Sequence, residues 1–470
     1  MKKLYLVLIV AFVVRVLWLP ENIFFGYEQG RDFLKLSEIT SGNLTLIGPK
    51  TDIEGLFHGA FSYYSLLPSF VIFGGNPLLV LLSLISVHIV SIFFLYKLAV
   101  SFRNKKFGLL VAVLYAISYS SVVYVRWLSN PNLVPALAIF FLYFLKQAEK
   151  KKSLLILAAL FWALIFHLQV VAALILCLPA VYFVVAKKVL TKKNIVLSGL
   201  VIVGILSTYL IFNFRNDNIL LTGFVDYITG EQSPVGQVRL DEFNNEIVDN
   251  LLPPHREIAF ALIWLVVILN IFAAWRDFTS RYILILFFAA PTVFVLLGVT
   301  PLRHLFILIP LFTSLLVANA LNYLIERKYV PVSALILVAI LMGNLITIFS
   351  RLPESNRNFI YHAQSTYLAD MKNLIDFAYR DSGESAFSYD YYSVPYWHKD
   401  AWEYLFSWYG KWKYKTLPSD RRTKVFYVFI EPDETQPKYQ EDWYKTLTKT
   451  SMLLAEQRSG KLKVEKREDK

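Results

Sequence analysis

The chain has 470 residues, of which 56% are hydrophobic and 17% charged, and its mean hydropathy is +0.49. That is too apolar for a soluble domain, and the apolar residues fall in long blocks rather than at the periods of 3.6 or 2 that mark amphipathic helices and half-buried strands. The 47 Lys and Arg against 35 Asp and Glu give a net charge of +12, but the basic residues are scattered over the gaps between blocks, which argues against a nucleic-acid partner.

Blocks long enough to cross roughly 30 Å of hydrocarbon lie at residues 4–20, 77–100, 107–125, 132–147, 153–168, 169–186, 194–213, 258–275, 281–299, 302–325 and 330–350. They predict a polytopic α-helical membrane protein of about eleven spans, with 153–186 as an alternative single broken unit and 62–73 as an alternative short span. The first block is expected to stay as a helix: no small-residue cleavage site follows it, and Leu17-Trp18-Leu19-Pro20 leads straight into a charged stretch. The sole cysteine, Cys177, lies inside a span, so the outer segments are expected to fold without disulfides.

Lys2-Lys3, Arg103 with Lys105-Lys106, Lys146 with Lys150-Lys151-Lys152, Lys187-Lys188 with Lys192-Lys193, Arg276 with Arg281, and Arg327-Lys328 occupy every second gap. The positive-inside rule assigns those gaps to the cytoplasm, with a cytoplasmic N-terminus and a multi-pass location in the cell membrane. Outside then lie 21–76, 126–131, the turn at His167 to Gln169, the acidic loop 214–257, the turn about Pro301, and everything after Arg351.

The division expected is a membrane domain over 1–350, with the large first outer loop 21–76, and a small extracytoplasmic α/β domain over 351–470. In the latter the pattern predicts helices at 367–379, 397–408 and 441–456, and strands at 386–391 and 425–430, with a further short strand at 462–464. Residues 461–470 read as a solvated, frayed tail.

The chemistry is concentrated on the outer face. Glu28, Arg31 and Asp32 recur at i, i+3 and i+4, so a helix places them on one face, with the arginine between two carboxylates. Such a face suits proton abstraction beside an anionic ligand; the competing reading is an interfacial helix whose charges reach for water. Glycines flank His58, and Tyr63-Tyr64 opens a helix expected to lie in the interface. Arg126 with Asn130-Pro131-Asn132, then His167 and Gln169, then Arg303-His304 also sit at outer ends of spans. Together they outline a cavity with cationic donors and a carboxylate base, open to the outer leaflet.

Glu28-Gln29-Gly30-Arg31-Asp32, the Gly48-Pro49 and Gly55-Leu56-Phe57-His58-Gly59 segments and the Tyr63-Tyr64 pair resemble the first outer loop of the GT-C membrane glycosyltransferases. Within them the resemblance is to the bacterial branch related to protein O-mannosyltransferases and lipid A aminoarabinose transferase. It covers residues 1–350 in topology and is specific over 24–68 and, more loosely, at 126–132. The resemblance implies a catalytic acid after the first span, usually aspartate; the matching position here is Glu28, one methylene longer, with Asp32 as rival. It further implies that Arg31 lies near the donor, that His58 faces the donor phosphate, and that the donor is a polyprenyl-phosphate sugar used on the outer face.

The residues agree with that chemistry. A sugar on a lipid phosphate carries a good leaving group, so a base for the acceptor hydroxyl and cations for the departing phosphate are sufficient. The expected catalytic residues are Glu28 and Asp32; the expected substrate-binding residues are Arg31, His58, Tyr63, Arg126, Asn130, His167, Gln169, Arg303 and His304. The acceptor is a lipid, a glycan or a protein, with membrane lipids as surroundings. No cofactor is expected and no metal-ligand spacing stands out, a divalent metal being left open. The alternative is a polytopic transporter or lipid-linked glycan flippase, which is expected to carry its ionisable residues near the midplane of several spans rather than at their outer ends.

The alternation of basic gaps yields a direct expectation. A topology reporter inserted after Lys152 and another fused after the C-terminal domain are expected on opposite sides of the membrane, and finding both on one side removes the outer-face site.

Overall fold

The computed structural model describes residues 2–51, 53–229, 240–298, 302–352, 366–396 and 398–470. The turn about Pro301, part of the loop 214–257 and the first residue of the helix read at 397–408 lie outside them.

The chain opens with α1 (Lys2–Val16) and then lays down the outer loop as α2 (Tyr27–Thr40), the antiparallel pair β1 (Ile47–Lys50) and β2 (Phe57–Gly59), and the short helices α3 (Phe61–Tyr64) and α4 (Leu67–Ile72). The long α5 (Pro77–Phe102) starts where the Asn76 side chain accepts from the amides of Leu78 and Leu79, with Pro77 at its first position. The block read as one span at 107–125 is two helices, α6 (Lys105–Ile117) and α7 (Tyr119–Val125), bent by 62°. The Ser118 hydroxyl accepts from the Ser121 amide and restarts the helix at the bend.

There follow α8 (Val134–Gln147), α9 (Leu155–Leu168), α10 (Val170–Lys187), α11 (Lys192–Arg215), α12 (Ile219–Thr229), α13 (Asp241–Leu251), α14 (Arg256–Ala274), α15 (Phe278–Leu297), α16 (Ile309–Glu326) and α17 (Val330–Arg351). Among the described residues seven helices are long and apolar enough to cross a membrane, or eight with α6 and α7 taken as one span. The other three expected spans are helices of 15, 14 and 14 residues, and at 1.5 Å per residue each reaches only about 21–23 Å. Residues 153–186 form two helices rather than one broken unit. The central helix is α16, enclosed over most of its length, whereas α11 faces outward along its whole apolar window.

On the side of the basic gaps, Arg103 ties three helices together. Its guanidinium donates to Asn319 (2.9 Å), Asp277 (3.1 Å) and Ser280 (2.9 Å), and Asn319 passes the network on to Asn270 at 2.8 Å. Each buried polar group in this knot has a partner, which is what low-dielectric surroundings demand.

The outer domain consists of α18 (Leu368–Ser382), β3 (Ser388–Tyr392), α19 (Asp400–Leu405), a π-turn at Phe406–Gly410, α20 (Lys411–Tyr414), β4 (Val425–Ile430), α21 (Pro437–Thr450), β5 (Ser451–Ser459) and β6 (Leu462–Asp469). The sheet order is β3-β4-β6-β5, with β3 parallel to β4 and the other pairs antiparallel. Two expectations are corrected here. The helix read at 441–456 ends at Thr450, and its second half is β5. The tail read as frayed is β6, which lies inside the sheet. Its charges hid it: Glu465 and Arg467 are both buried and bonded to each other at 2.7 Å, while Lys463 and Tyr444 also bond Glu465.

This domain is fastened to the segment after α1 and to α4. The amide of Phe25 donates to Thr366 (2.8 Å), that of Leu368 to Ile23 (2.9 Å), and the Trp408 indole to Gly74 (2.9 Å). The tightest approach is at Gly30, where a Cβ would overlap the backbone of Ala401 and Asp400. Only glycine permits α2 to touch α19 backbone to backbone. Gly30→Ala is therefore expected to cost about 1–3 kcal/mol by overpacking and to lower the thermal midpoint followed by tryptophan fluorescence. Gly199→Ala, where a Cβ meets nothing within 4 Å, is expected to leave it unchanged.

Candidate active site

The site is built on the first turn of α2. Gln29 closes that turn by accepting from the Gly26 amide at 3.0 Å and reaches across to donate to the Leu128 carbonyl at 2.9 Å. Phe33, one turn on, packs against Phe25, Phe70 and Tyr404 with ring centroids 5.2–5.6 Å apart. With that face committed, the i, i+3, i+4 spacing leaves Glu28, Arg31 and Asp32 together on another.

Arg31 grips Asp32 through Nε at 2.9 Å and Nη2 at 2.8 Å. Asp32 is buried, whereas Glu28 and Arg31 are half-buried. Burial pushes the Asp32 carboxyl up to about 6 against the opposing charge of Arg31, with Glu28 and Asp400 adding to the rise. For Arg31 burial works the other way, but the charges of Asp32 and Glu28 outweigh it and hold the guanidinium above its ordinary range. Arg31 thus stays a fixed cation beside one carboxylate it holds and another, Glu28, that is half-buried.

The facing wall comes from segments far apart in sequence. His58 hydrogen-bonds to the Leu168 carbonyl, and burial followed by the charges of Arg31 and His304 lowers its imidazole to about 4, so it is neutral at physiological pH. The same carbonyl accepts from Asn130 at 3.0 Å. Tyr63 is buried beside Asp32 and Arg31; burial, reinforced by the Asp32 charge, raises its phenol and keeps it protonated. Gln169 donates to the His304 carbonyl at 3.3 Å, while its own Oε1 is buried with no hydrogen-bond partner among the described residues. The His304 ring stands 6.0 Å from that of Trp127.

Of the residues singled out by sequence, Glu28, Arg31, Asp32, His58, Tyr63, Asn130, Gln169 and His304 are thus brought together. His167 has a supporting position: its Nδ1 accepts from the Phe61 amide (3.3 Å), its Nε2 meets the Ile205 carbonyl (3.0 Å), and Gly59 lies so close that a Cβ would overlap the ring. It fixes the β2–α3 corner that carries His58 and Tyr63. Arg126 is buried and turned towards the end of α1, donating to the carbonyls of Leu17 (2.5 Å) and Arg15 (3.4 Å).

Arg303 belongs to a second cluster, which the sequence reading missed. It bonds Asp249 and, at 3.4 Å, Glu246, both on α13, while Arg351 approaches Asp249 at 3.8 Å. Glu246 is fully buried, and also accepts from Tyr124 (3.1 Å) and Asn250 (3.1 Å). The signal for α13 was present, since Phe243, Ile247 and Leu251 recur every fourth residue behind Asp241 and Glu242. Among the described residues, no three His, Cys, Asp or Glu side chains converge as a metal set.

No protein-family model and no curated protein sequence matches the chain. Solved structures do. The structure of ArnT from Cupriavidus metallidurans bound to undecaprenyl phosphate superposes with a TM-score of 0.64 at 11% identity, covering 98% of this chain and 97% of that one. The archaeal oligosaccharyltransferase AglB from Archaeoglobus fulgidus, in complex with an inhibitory peptide and a dolichol-phosphate, superposes with a TM-score of 0.53 at 12% identity, covering 91% of this chain and 69% of that one. The chain therefore has the GT-C fold, as its first outer loop suggests: a multi-pass membrane domain followed by a small sheet domain.

The Arg303 cluster makes a stability prediction. Arg303→Gln leaves Glu246 and Asp249 buried without their cation, a change that costs about 3–5 kcal/mol in comparable pairs. Burial already holds Glu246 at about 7, above its ordinary 4.5, although Arg303 opposes the rise. A carboxyl raised in this way favours the fold while protonated and ceases to as pH climbs through its folded value. The deficit of the variant is expected to be smaller at pH 5 than at pH 8 in thermal unfolding; an equal deficit at both would place the cost elsewhere.

Proposed function

We propose that the protein is an integral membrane glycosyltransferase that moves a sugar from a polyprenyl-phosphate donor to a lipid, glycan or protein acceptor on the outer face of the membrane. The observation that carries this reading is the meeting of Glu28 and the Arg31–Asp32 pair with His58, Tyr63 and His304 at one end of a GT-C fold. The bound undecaprenyl phosphate and dolichol-phosphate named for the two similar structures support a donor of that class.

In this reading Glu28 takes the proton of the acceptor hydroxyl. The acceptor oxygen attacks the anomeric carbon, the bond from that carbon to the phosphate oxygen breaks, and the electron pair leaves with the polyprenyl phosphate. Arg31 stabilises the charge that gathers on the departing phosphate, in a poorly hydrated site where a fixed cation is most effective. Asp32 keeps the guanidinium aimed, and a phosphate leaving group needs no separate acid. His58 is neutral and donates or accepts without adding charge. The sugar is a hexose or a pentose, the N-terminus is cytoplasmic and the domain after Arg351 is extracytoplasmic.

The test is to incubate the purified protein with a panel of polyprenyl-phosphate sugars and weigh the products: release of polyprenyl phosphate with a matching gain of one sugar on an acceptor is expected, and vectorial movement of intact donor without bond cleavage would mark a transporter instead. Glu28→Gln keeps the size of the side chain but removes the base, and transfer is expected to fall by on the order of 10²-fold or more with donor binding retained. Asp32→Asn is expected to be milder; a reversed ranking exchanges the two roles.

Wild-type transfer is expected to fall as pH drops through about 6, where Asp32 takes up a proton and Arg31 loses its anchor. That acid limb is expected to disappear in Asp32→Asn, and a profile unchanged by the substitution would detach it from this pair.

A further inference from the structure

The face of α2 that meets the outer domain carries a group of side chains that the transfer chemistry does not use. The Tyr27 ring stacks on the His398 ring, with centroids 4.3 Å apart and planes 30° from parallel. Tyr27 also lies near Arg31, the guanidinium carbon 5.8 Å from its centroid. His398 is nearly half exposed, and its Nδ1 lies 3.6 Å from an Asp400 carboxylate oxygen that is itself partly open. Tyr391 lies within range of the Asp400 charge and is also part-exposed. Lys399, the nearby cation, is occupied by Glu403 at 3.2 Å.

This rim is held to the reacting residues with little play. Gly30, one residue before Arg31, touches the backbone at Asp400 and Ala401 with no room for a Cβ, so the spacing between His398 and the Glu28–Arg31–Asp32 face is set by backbone contact. The rim adjoins the donor's cation through Tyr27, whose ring lies beside Arg31. A lipid-borne phosphate is drawn to Arg31, which the membrane domain supplies. The side chains of the outer domain beside this face are a histidine and a tyrosine ring near the Asp400 carboxylate. Rings present an apolar face to the C–H face of a sugar, while a carboxylate and an imidazole bond its hydroxyls; a few polar groups among apolar walls is how small polar ligands are oriented.

We propose, resting on the transferase reading of the same site, that His398 and Asp400 of the outer domain, with Tyr27 and Tyr391, form the acceptor subsite, and that it takes the sugar ring of a glycan or glycolipid headgroup. The donor is bound by the membrane domain and the acceptor is selected by the outer domain, so the two substrates are recognised by different parts of the chain.

The test measures binding and turnover separately on the full-length protein in nanodiscs. Binding is read without donor, by saturation-transfer NMR with short oligosaccharides and with methyl glycosides of hexoses and amino sugars. The wild type is expected to bind at least one of these, His398→Ala and Asp400→Asn to weaken it by about fivefold or more, the scale of one lost hydrogen bond or ring contact, and His398→Phe to retain the stacking contribution. In turnover, the same two losses are expected in the acceptor KM, with the ratio of acceptor KM to donor KM rising by about fivefold or more. Sugar binding that is absent in the wild type, or indifferent to His398→Ala and Asp400→Asn, overturns the subsite, as does preferential binding of serine- or threonine-bearing peptides. Because sugar binding is scored without donor, a protein that binds glycans through His398 yet releases no polyprenyl phosphate overturns the transferase reading and leaves the glycan subsite standing.

Discussion

The first turn of α2 is gripped from two directions, and the site depends on that grip. Gln29 bonds the backbone of the loop before α8, and Gly30 lies against the backbone of α19 in the outer domain. A helix of this length is marginal by itself in water. Held between the membrane domain and the outer domain, it presents Glu28, Arg31 and Asp32 in a fixed direction without relying on its own stability. The polar residues at the clamp carry no catalytic chemistry; they set where the chemistry occurs.

The end of the membrane domain that carries α2 contains two groups of buried charge, and the balance within each separates their roles. Around Arg303, the carboxylates of Glu246 and Asp249 face the guanidinia of Arg303 and Arg351, with tyrosine and asparagine filling the remaining bonds. Such a group is close to neutral and joins α13 to the segment bearing His304. Around α2 the arrangement is less complete. Arg31 is committed to Asp32, Glu28 is half-buried beside them, and Gln169 offers a buried oxygen with no partner among the described residues. Desolvated polar atoms are costly unless a ligand completes them, so the second arrangement is the one suited to binding. Arg303, although cationic, is occupied with carboxylates of the protein itself, whereas Arg126 bonds carbonyls only through Nη1 and keeps Nε and Nη2 buried without a hydrogen-bond partner among the described residues.

What the sequence disclosed depended on whether the signal was local. Glu28, Arg31 and Asp32 were legible as a face because their spacing is that of one helical turn, and the strand at Val425–Ile430 because it is an unbroken apolar run. The spans were legible as apolar blocks, but the bend at Ser118 was not, since a single serine between two apolar stretches has no distinct pattern. The strand β6 was misread because its inward side chains include Glu465 and Arg467, which neutralise each other only once the sheet has formed. The salt bridge from Arg303 to Asp249 joins residues 54 apart, and His58 and Asn130 meet on the carbonyl of Leu168. Tertiary pairings of that kind leave no mark on either partner's neighbours. The helix α13 is different: its apolar period was readable, and it went unread because the whole of 214–257 was treated as loop.

The claim on which the rest stands is that the donor's phosphate lies against the α2 face on the outer side of the membrane. A cryo-electron microscopy map of the full chain with a polyprenyl phosphate added tests it most directly. The account predicts phosphate density within hydrogen-bonding distance of the Arg31 guanidinium, about 3 Å between heavy atoms, with the prenyl chain leaving towards the lipid and the outer domain unmoved. Phosphate density at the Arg103 knot on the opposite face, with the α2 face empty, would contradict it.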